Sequence, residues 1–224
     1  MPTTTVRPEL GLLPPRIAKL PVDARGYPVP WFVGWVDGPD GPETVPEFRA
    51  ADARKFVRAI KEKLCWVCGE RLGGWLAFPI GPMCAITRTT AEPPCHRECA
   101  EWSIKFCPFL SEPRAVRREN NLPDEIDAPA GHMITRNPGV TCLWITRSFE
   151  IWNDGHGKPL LTVGKPEDVT WWCAGRPATR AEVEASVESG FPALLNVARS
   201  DGPFAIEQLG KQKHMAEAYW PQVV

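Results

Sequence analysis

Cys65-Trp-Val-Cys68-Gly69 constrains this chain more than any other stretch. A two-residue spacer lets two thiolates point at one ion from a tight turn, and the glycine after the second cysteine supplies the left-handed backbone that such a turn requires. Alone, a C-x-x-C pair fits a redox couple as well as a metal knuckle, so its surroundings decide. A second pair follows in Cys95-His-Arg-Glu-Cys99, where His96 and Cys99 are three apart and are separated from Cys68 by residues 69–95. Zinc accepts mixed thiolate and imidazole ligands, and four protein ligands leave no open position for a reacting water. Cys65, Cys68, His96 and Cys99 are therefore the expected ligands of a structural zinc. Cys95 rivals His96, because Cys95 and Cys99 are four apart on an expected helix. Buried thiols remain a further reading of the same cysteines.

Between the two pairs, Gly74–Ile80 and Met83–Arg88 are short apolar runs parted by Gly81-Pro82, a break that suits a hairpin. After Pro93-Pro94, the spacing of Ala100, Ile104 and Cys107 predicts a helix that Pro108 stops. A turn with two cysteines, a hairpin, then a helix with two further ligands in its first turn resembles the treble-clef zinc finger over residues 63–110, 48 of the 224. That resemblance implies a structural zinc. Arg25-Gly-Tyr-Pro-Val-Pro-Trp31, Cys65-Trp-Val-Cys-Gly69 and Gly175-Arg-Pro-Ala-Thr-Arg-Ala-Glu182 also resemble stretches of proteins from actinobacterial and phage-type genomes; this implies no activity. The overlap of Pro94-Cys95, His96-x-Glu98 and Cys99 within six residues excludes the zinc-deaminase arrangement, which needs two separate helix ends converging on one ion.

Charge is balanced, with 26 lysines and arginines against 27 acids, so no overall positive field draws nucleic acid or anionic membrane, and any such contact must be local. No apolar run approaches the roughly 18 residues of a membrane span and no signal-peptide core is present, which makes the cytoplasm the expected compartment. Six of the eight cysteines fall between positions 65 and 107, a clustering that favours metal over a disulfide framework.

The expected organisation is a proline-rich arm (1–30), an N-terminal lobe (31–118) holding the finger, a linker (119–136) and a C-terminal lobe (137–224). The class is α+β: small, mainly antiparallel sheets with covering helices, built around a treble-clef-like finger. Trp31–Val36 and Thr44–Arg49 read as a first hairpin. Ala51–Leu64 reads as an amphipathic helix with Phe56, Val57, Ile60 and Leu64 inward and Arg54, Arg58 and Lys61 outward. Val140–Thr146 is apolar on both faces, as a central strand is, and is expected to continue through Phe149 to Trp152. Leu160–Val163 and Val169–Cys173 are further strands. Thr179-Arg-Ala-Glu182 is a capping box for a helix ending near Gly190, with helical stretches at 192–198 and 204–219 beyond it.

Phosphate-loop, dinucleotide, nucleophile-elbow and H-E-x-x-H signatures are all missing. Arg54, Arg58 and Lys61 beside the finger, with Lys63, Arg114, Arg117 and Arg118, form the local basic feature, of the kind that touches phosphates without reading bases. The leading expectation is a non-catalytic zinc protein whose finger and basic helix contact nucleic acid or a partner bound to it. Two alternatives stand beside it: an enzyme with a cleft between lobes using His132 or His156, and a protein-interaction adaptor presenting a face of its ten tryptophans.

Overall fold

The computed structural model describes residues 6–112, 130 and 137–222. Strands β1 (Val33–Gly38) and β2 (Gly41–Ala51) precede helix α1 (Ala53–Glu62); then come β3 (Leu76–Ile80), α2 (Pro82–Thr87), β4 (Thr89–Thr90), α3 (Arg97–Phe106) and α4 (Pro108–Ser111). Beyond residue 136 lie β5 (Thr141–Thr146), β6 (Phe149–Asn153), β7 (Pro159–Val163), β8 (Pro166–Cys173), β9 (Arg176–Pro177), α5 (Arg180–Asp201) and α6 (Pro203–Glu217). Helices with small antiparallel sheets give the α+β class that the patterning predicts.

β5 is the organising strand, and all six of its residues are buried. It lies between β3 and β8 in the sheet ordered β3-β5-β8-β9. Successive side chains point to opposite faces of a strand. Cys142 and Trp144 enter one core with α2, α5 and α6, while Leu143 and Ile145 enter a second core around Cys65, Cys95 and Cys99. This is why the sequence is apolar on both faces: β5 separates two cores. Trp144 is fully enclosed because its indole N–H reaches the Gly164 carbonyl at 3.0 Å, and Thr146 is satisfied by the Lys165 carbonyl at 2.8 Å.

β3 pairs with β5, and β4 pairs with β7 in the sheet ordered β4-β7-β6. Both sheets thus draw strands from either side of residues 119–136, most of which lie outside the described residues. The strand expected to run from Val140 to Trp152 breaks at Arg147-Ser148, and β6 changes sheet to pair with β7.

Two helical expectations are corrected. Residues 82–87 are helical, because Pro82 at the first helical position pre-sets the backbone and Met83, Ala85 and Ile86 bury against α5 and α6. The hairpin partner of β3 is therefore β5, not the following run. α5 continues past Gly190 and carries Pro192 inside it. Packing outweighs the local penalty: Gly190 lets Met83 close in, to the point that a Cβ there would meet the sulfur at 3.2 Å, while Val183, Val187 and Ala198 hold both halves of α5 to one core. The Thr179–Glu182 capping box is present as read.

In α1 the Asp52 side chain caps Arg54 N–H at 2.8 Å. Ala59 is buried with Phe56 and Ile60 half-buried behind it, whereas Val57 faces solvent rather than inward. Residues 6–30 run over the second core, where Leu10 and Ile17 are buried. No helix among the described residues is long and apolar enough to cross a membrane.

Candidate metal centre

α1 ends at Lys63 in the left-handed conformation, which turns the chain directly into the knuckle. There the Leu72 N–H donates to the Lys63 carbonyl, Cys65 N–H to Glu70 and Gly69 N–H to Cys65, each at 2.8 Å. Gly69 has a φ of +73° and its bare α-carbon lies under Trp31; a Cβ would fall 2.6 Å from that ring. Trp66 anchors the turn from within, stacked on Phe32 at 5.1 Å with Trp31 and Phe56 edge-on.

The second pair arrives by a separate route. Cys95 is held extended by reciprocal backbone bonds with Ala77 at 3.0 and 2.7 Å, and the Trp66 N–H donates to the Pro94 carbonyl at 3.0 Å. The helix starts one residue after His96, which is its N-cap with extended backbone. Cys95 is thus not on a helix face with Cys99, contrary to the spacing argument. Its thiol lies beside Cys65 in the buried core, while His96 joins the cluster.

The ligand atoms of Cys65, Cys68, His96 and Cys99 lie within 4.8 Å of one another. His96 Nδ1 is 3.4 Å from the Cys68 sulfur and 4.0 Å from the Cys99 sulfur. Tetrahedral zinc with ordinary bond lengths needs ligand separations of about 3.5–3.8 Å, so the set closes around one ion with small adjustments. The Arg71 carbonyl accepts from His96 Nε2 at 3.0 Å; this puts the proton on Nε2 and leaves the Nδ1 lone pair facing the sulfurs. The Cys65 sulfur accepts backbone N–H groups from His96 at 3.3 Å and Cys68 at 3.5 Å, which favour its thiolate. All eight cysteines are free thiols. A Cys3His set with an oriented imidazole is compatible with a metal ion.

Protonation within the cluster is shared. The thiols of Cys68, Cys95 and Cys99 around Cys65 hold its ionisation far below the ordinary thiol range, and the same contacts push Cys68 up to about 11 and raise Cys99. His96 is raised by the Cys65 sulfur. A metal ion would take the place of these shared protons. Cys65 and Cys99 are buried, while Cys68 and His96 are half-buried. Arg16, from the N-terminal arm, bonds Glu98 on α3 and Glu70 on the knuckle, the latter at 3.1 Å, and Lys19 adds a contact to Glu70 at 2.6 Å. One arm residue therefore ties both ligand-bearing segments together. This latch was not legible from spacing, because it depends on contacts distant in sequence; spacing did single out Cys95, but as a helix-face partner of Cys99 rather than as a neighbour of Cys65.

The other candidates are dispersed. Arg54 pairs with Asp52 at 3.0 Å and Glu43 at 3.6 Å, Arg58 pairs with Glu62 at 3.0 Å, and Lys61 is exposed. His156 is exposed in the turn between β6 and β7. His132, Arg114, Arg117 and Arg118 lie outside the described residues. Of the tryptophans, Trp66, Trp102, Trp144, Trp171 and Trp220 are buried, and Trp75 and Trp152 are the exposed ones. A cleft of about 280 Å³ is lined by Trp75, Leu76, Ala77, Arg97, Ile145, Glu167 and Asp168, none of them a histidine.

A scan against family models, a search of curated proteins and a search of solved structures each return no match.

Proposed function

We propose that this chain is a zinc-binding protein of non-catalytic type, whose treble-clef-like finger and adjoining helix α1 contact nucleic acid or a partner bound to it. The observation that carries the metal is the convergence of Cys65, Cys68, His96 and Cys99 from a knuckle and a helix start. Knuckle first and ligand-bearing helix second is the order that supports the treble-clef likeness; the helix α2 where a hairpin strand was expected is its departure. Zinc is favoured among divalent ions because three thiolates with one imidazole suit a borderline-soft ion that imposes no geometry of its own.

The nucleic-acid part of the reading is supported by position. α1 leads straight into Cys65, so an ion held there fixes the direction in which Arg54, Arg58 and Lys61 project. The carboxylates paired with Arg54 and Arg58 reduce the local field, but both guanidiniums stand in solvent, where such pairs are weak and can exchange for phosphate. The test is binding of labelled single and double strands to metal-loaded protein at low salt, repeated with Arg54→Glu/Arg58→Glu/Lys61→Glu. Salt-sensitive binding that the triple reversal weakens supports the reading. Binding that ignores the reversal, or no binding at low salt, counts against it.

A further inference from the structure

Next to the finger, three basic residues run from the last turn of α1 onto the knuckle. Lys61, Lys63 and Arg71 are exposed and have no ion-pair partner among the described residues, unlike Arg54 and Arg58. They share one corner: Lys61 is in the last turn of α1, Lys63 ends it, and the Leu64–Arg71 bridge with the Leu72-to-Lys63 bond closes the base of the knuckle. The nearby Glu70 is already engaged by Arg16 and Lys19.

Past Gly73-Gly74, Trp75 stands one residue before β3 and is 49% exposed. The Arg147 guanidinium lies 3.5 Å from the centre of its ring. Trp75, but not Arg147, lines the cleft floored by Leu76, Ala77 and Ile145. The indole therefore carries a stacked cation and also borders an apolar recess. Such a recess has room for one flat heterocycle. Glu167 and the Asp168–Arg97 pair also line this recess, and their carboxylates leave the basic knuckle as the part that suits a polyanion.

We infer that this surface binds a single nucleic-acid strand, with Lys61, Lys63 and Arg71 on its phosphates and one unpaired base stacked on Trp75. Cations along a backbone track beside an aromatic platform are the means by which single strands are held without sequence readout. A duplex keeps its bases stacked internally and offers the indole nothing, so the surface distinguishes strand number. The inference rests on the nucleic-acid reading above and changes its contact surface.

The experiment is fluorescence anisotropy with a labelled mixed-sequence single strand of about 15 nucleotides and its duplex, at low salt, on metal-loaded full chain. Wild type should favour the single strand. Trp75→Ala and, separately, Lys63→Glu/Arg71→Glu should each weaken it about tenfold, Arg54→Glu/Arg58→Glu should change it less than about threefold, and Trp75→Phe should recover most of the loss. Circular dichroism and metal content confirm that each variant is folded. Equal binding of both forms, lost with the Arg54/Arg58 reversal but not with Trp75→Ala, overturns this surface and leaves the broader reading standing. No binding of either form overturns both.

Discussion

The backbone N–H of His96 donates to the sulfur of Cys65 at 3.3 Å, across 31 positions of sequence. That contact joins the knuckle after α1 to the start of α3. Cys65 gains two N–H donors from the fold itself, the other being Cys68 at 3.5 Å, so its thiolate is prepared by backbone geometry. The ion would then fasten segments that packing alone has already brought together.

Gly69 is where the knuckle has no tolerance. Its φ of +73° is strained for any residue with a Cβ, and that Cβ would lie 2.6 Å from the Trp31 ring. Gly69→Ala should destabilise the protein by more than about 1 kcal/mol in thermal or denaturant unfolding and weaken metal binding with it. Gly73→Ala, with nothing within 4 Å of its Cβ position, is the control and should stay within about 0.5 kcal/mol of wild type. Equal effects at the two sites would contradict the close approach described here.

Arg16 should matter more to metal retention than to folding. Its bonds to Glu70 and Glu98 are half-buried pairs still open to solvent screening, so Arg16→Gln should cost only about 1 kcal/mol. The same change frees the arm from both ligand-bearing segments and removes a cation next to the half-buried Cys68. Transfer of the ion to a chromogenic chelator, followed by stopped flow, should then be severalfold faster. An unchanged rate would show that the arm does not guard the site.

The capping box of α5 sets a pH dependence. Arg176, then the Thr179 N–H, hold the Glu182 carboxyl down to about 2 from an ordinary 4.5. A depressed carboxylate contributes stability that is fully present above its unfolded value and is lost as pH falls through its folded value. Glu182→Gln should therefore cost about 1 kcal/mol at neutral pH, a modest figure because Arg176 is largely exposed. The gap between the variant and wild type should narrow from pH 4.5 downward and close near pH 2. Denaturant unfolding at several pH values checks this, and a gap that is constant with pH would contradict it.

Much of the site was legible because its chemistry is local. Cys65-x-x-Cys68 and His96-x-x-Cys99 each fix two donors by spacing alone, and the left-handed glycine follows from the turn they need. The helix register at Cys95 and His96 was not, since it turns on one residue, and the Ala77 bridge holds Cys95 extended ahead of α3. Strand β5 was legible because Val140–Thr146 is apolar on both faces, whereas its pairing with β3 was not. A short apolar run such as Met83–Arg88 suits strand or helix equally, and only Pro82 and the packing of α2 on α5 and α6 choose between them. Gly190 and Pro192 read as a stop because local propensity says so, and a long helix with a continuous buried side overrules it.

The central claim is that Cys65, Cys68, His96 and Cys99 hold one structural ion, and metal content per chain tests it most directly. Elemental analysis would be made on protein purified under reducing conditions without added metal, for wild type and for Cys65→Ser/Cys68→Ser. The account expects about one zinc per wild-type chain, and in the variant a loss of that zinc together with a lower unfolding temperature. A wild-type protein that is folded, reduced and free of metal would contradict it, and the C-x-x-C pair would then have to be examined as a redox couple.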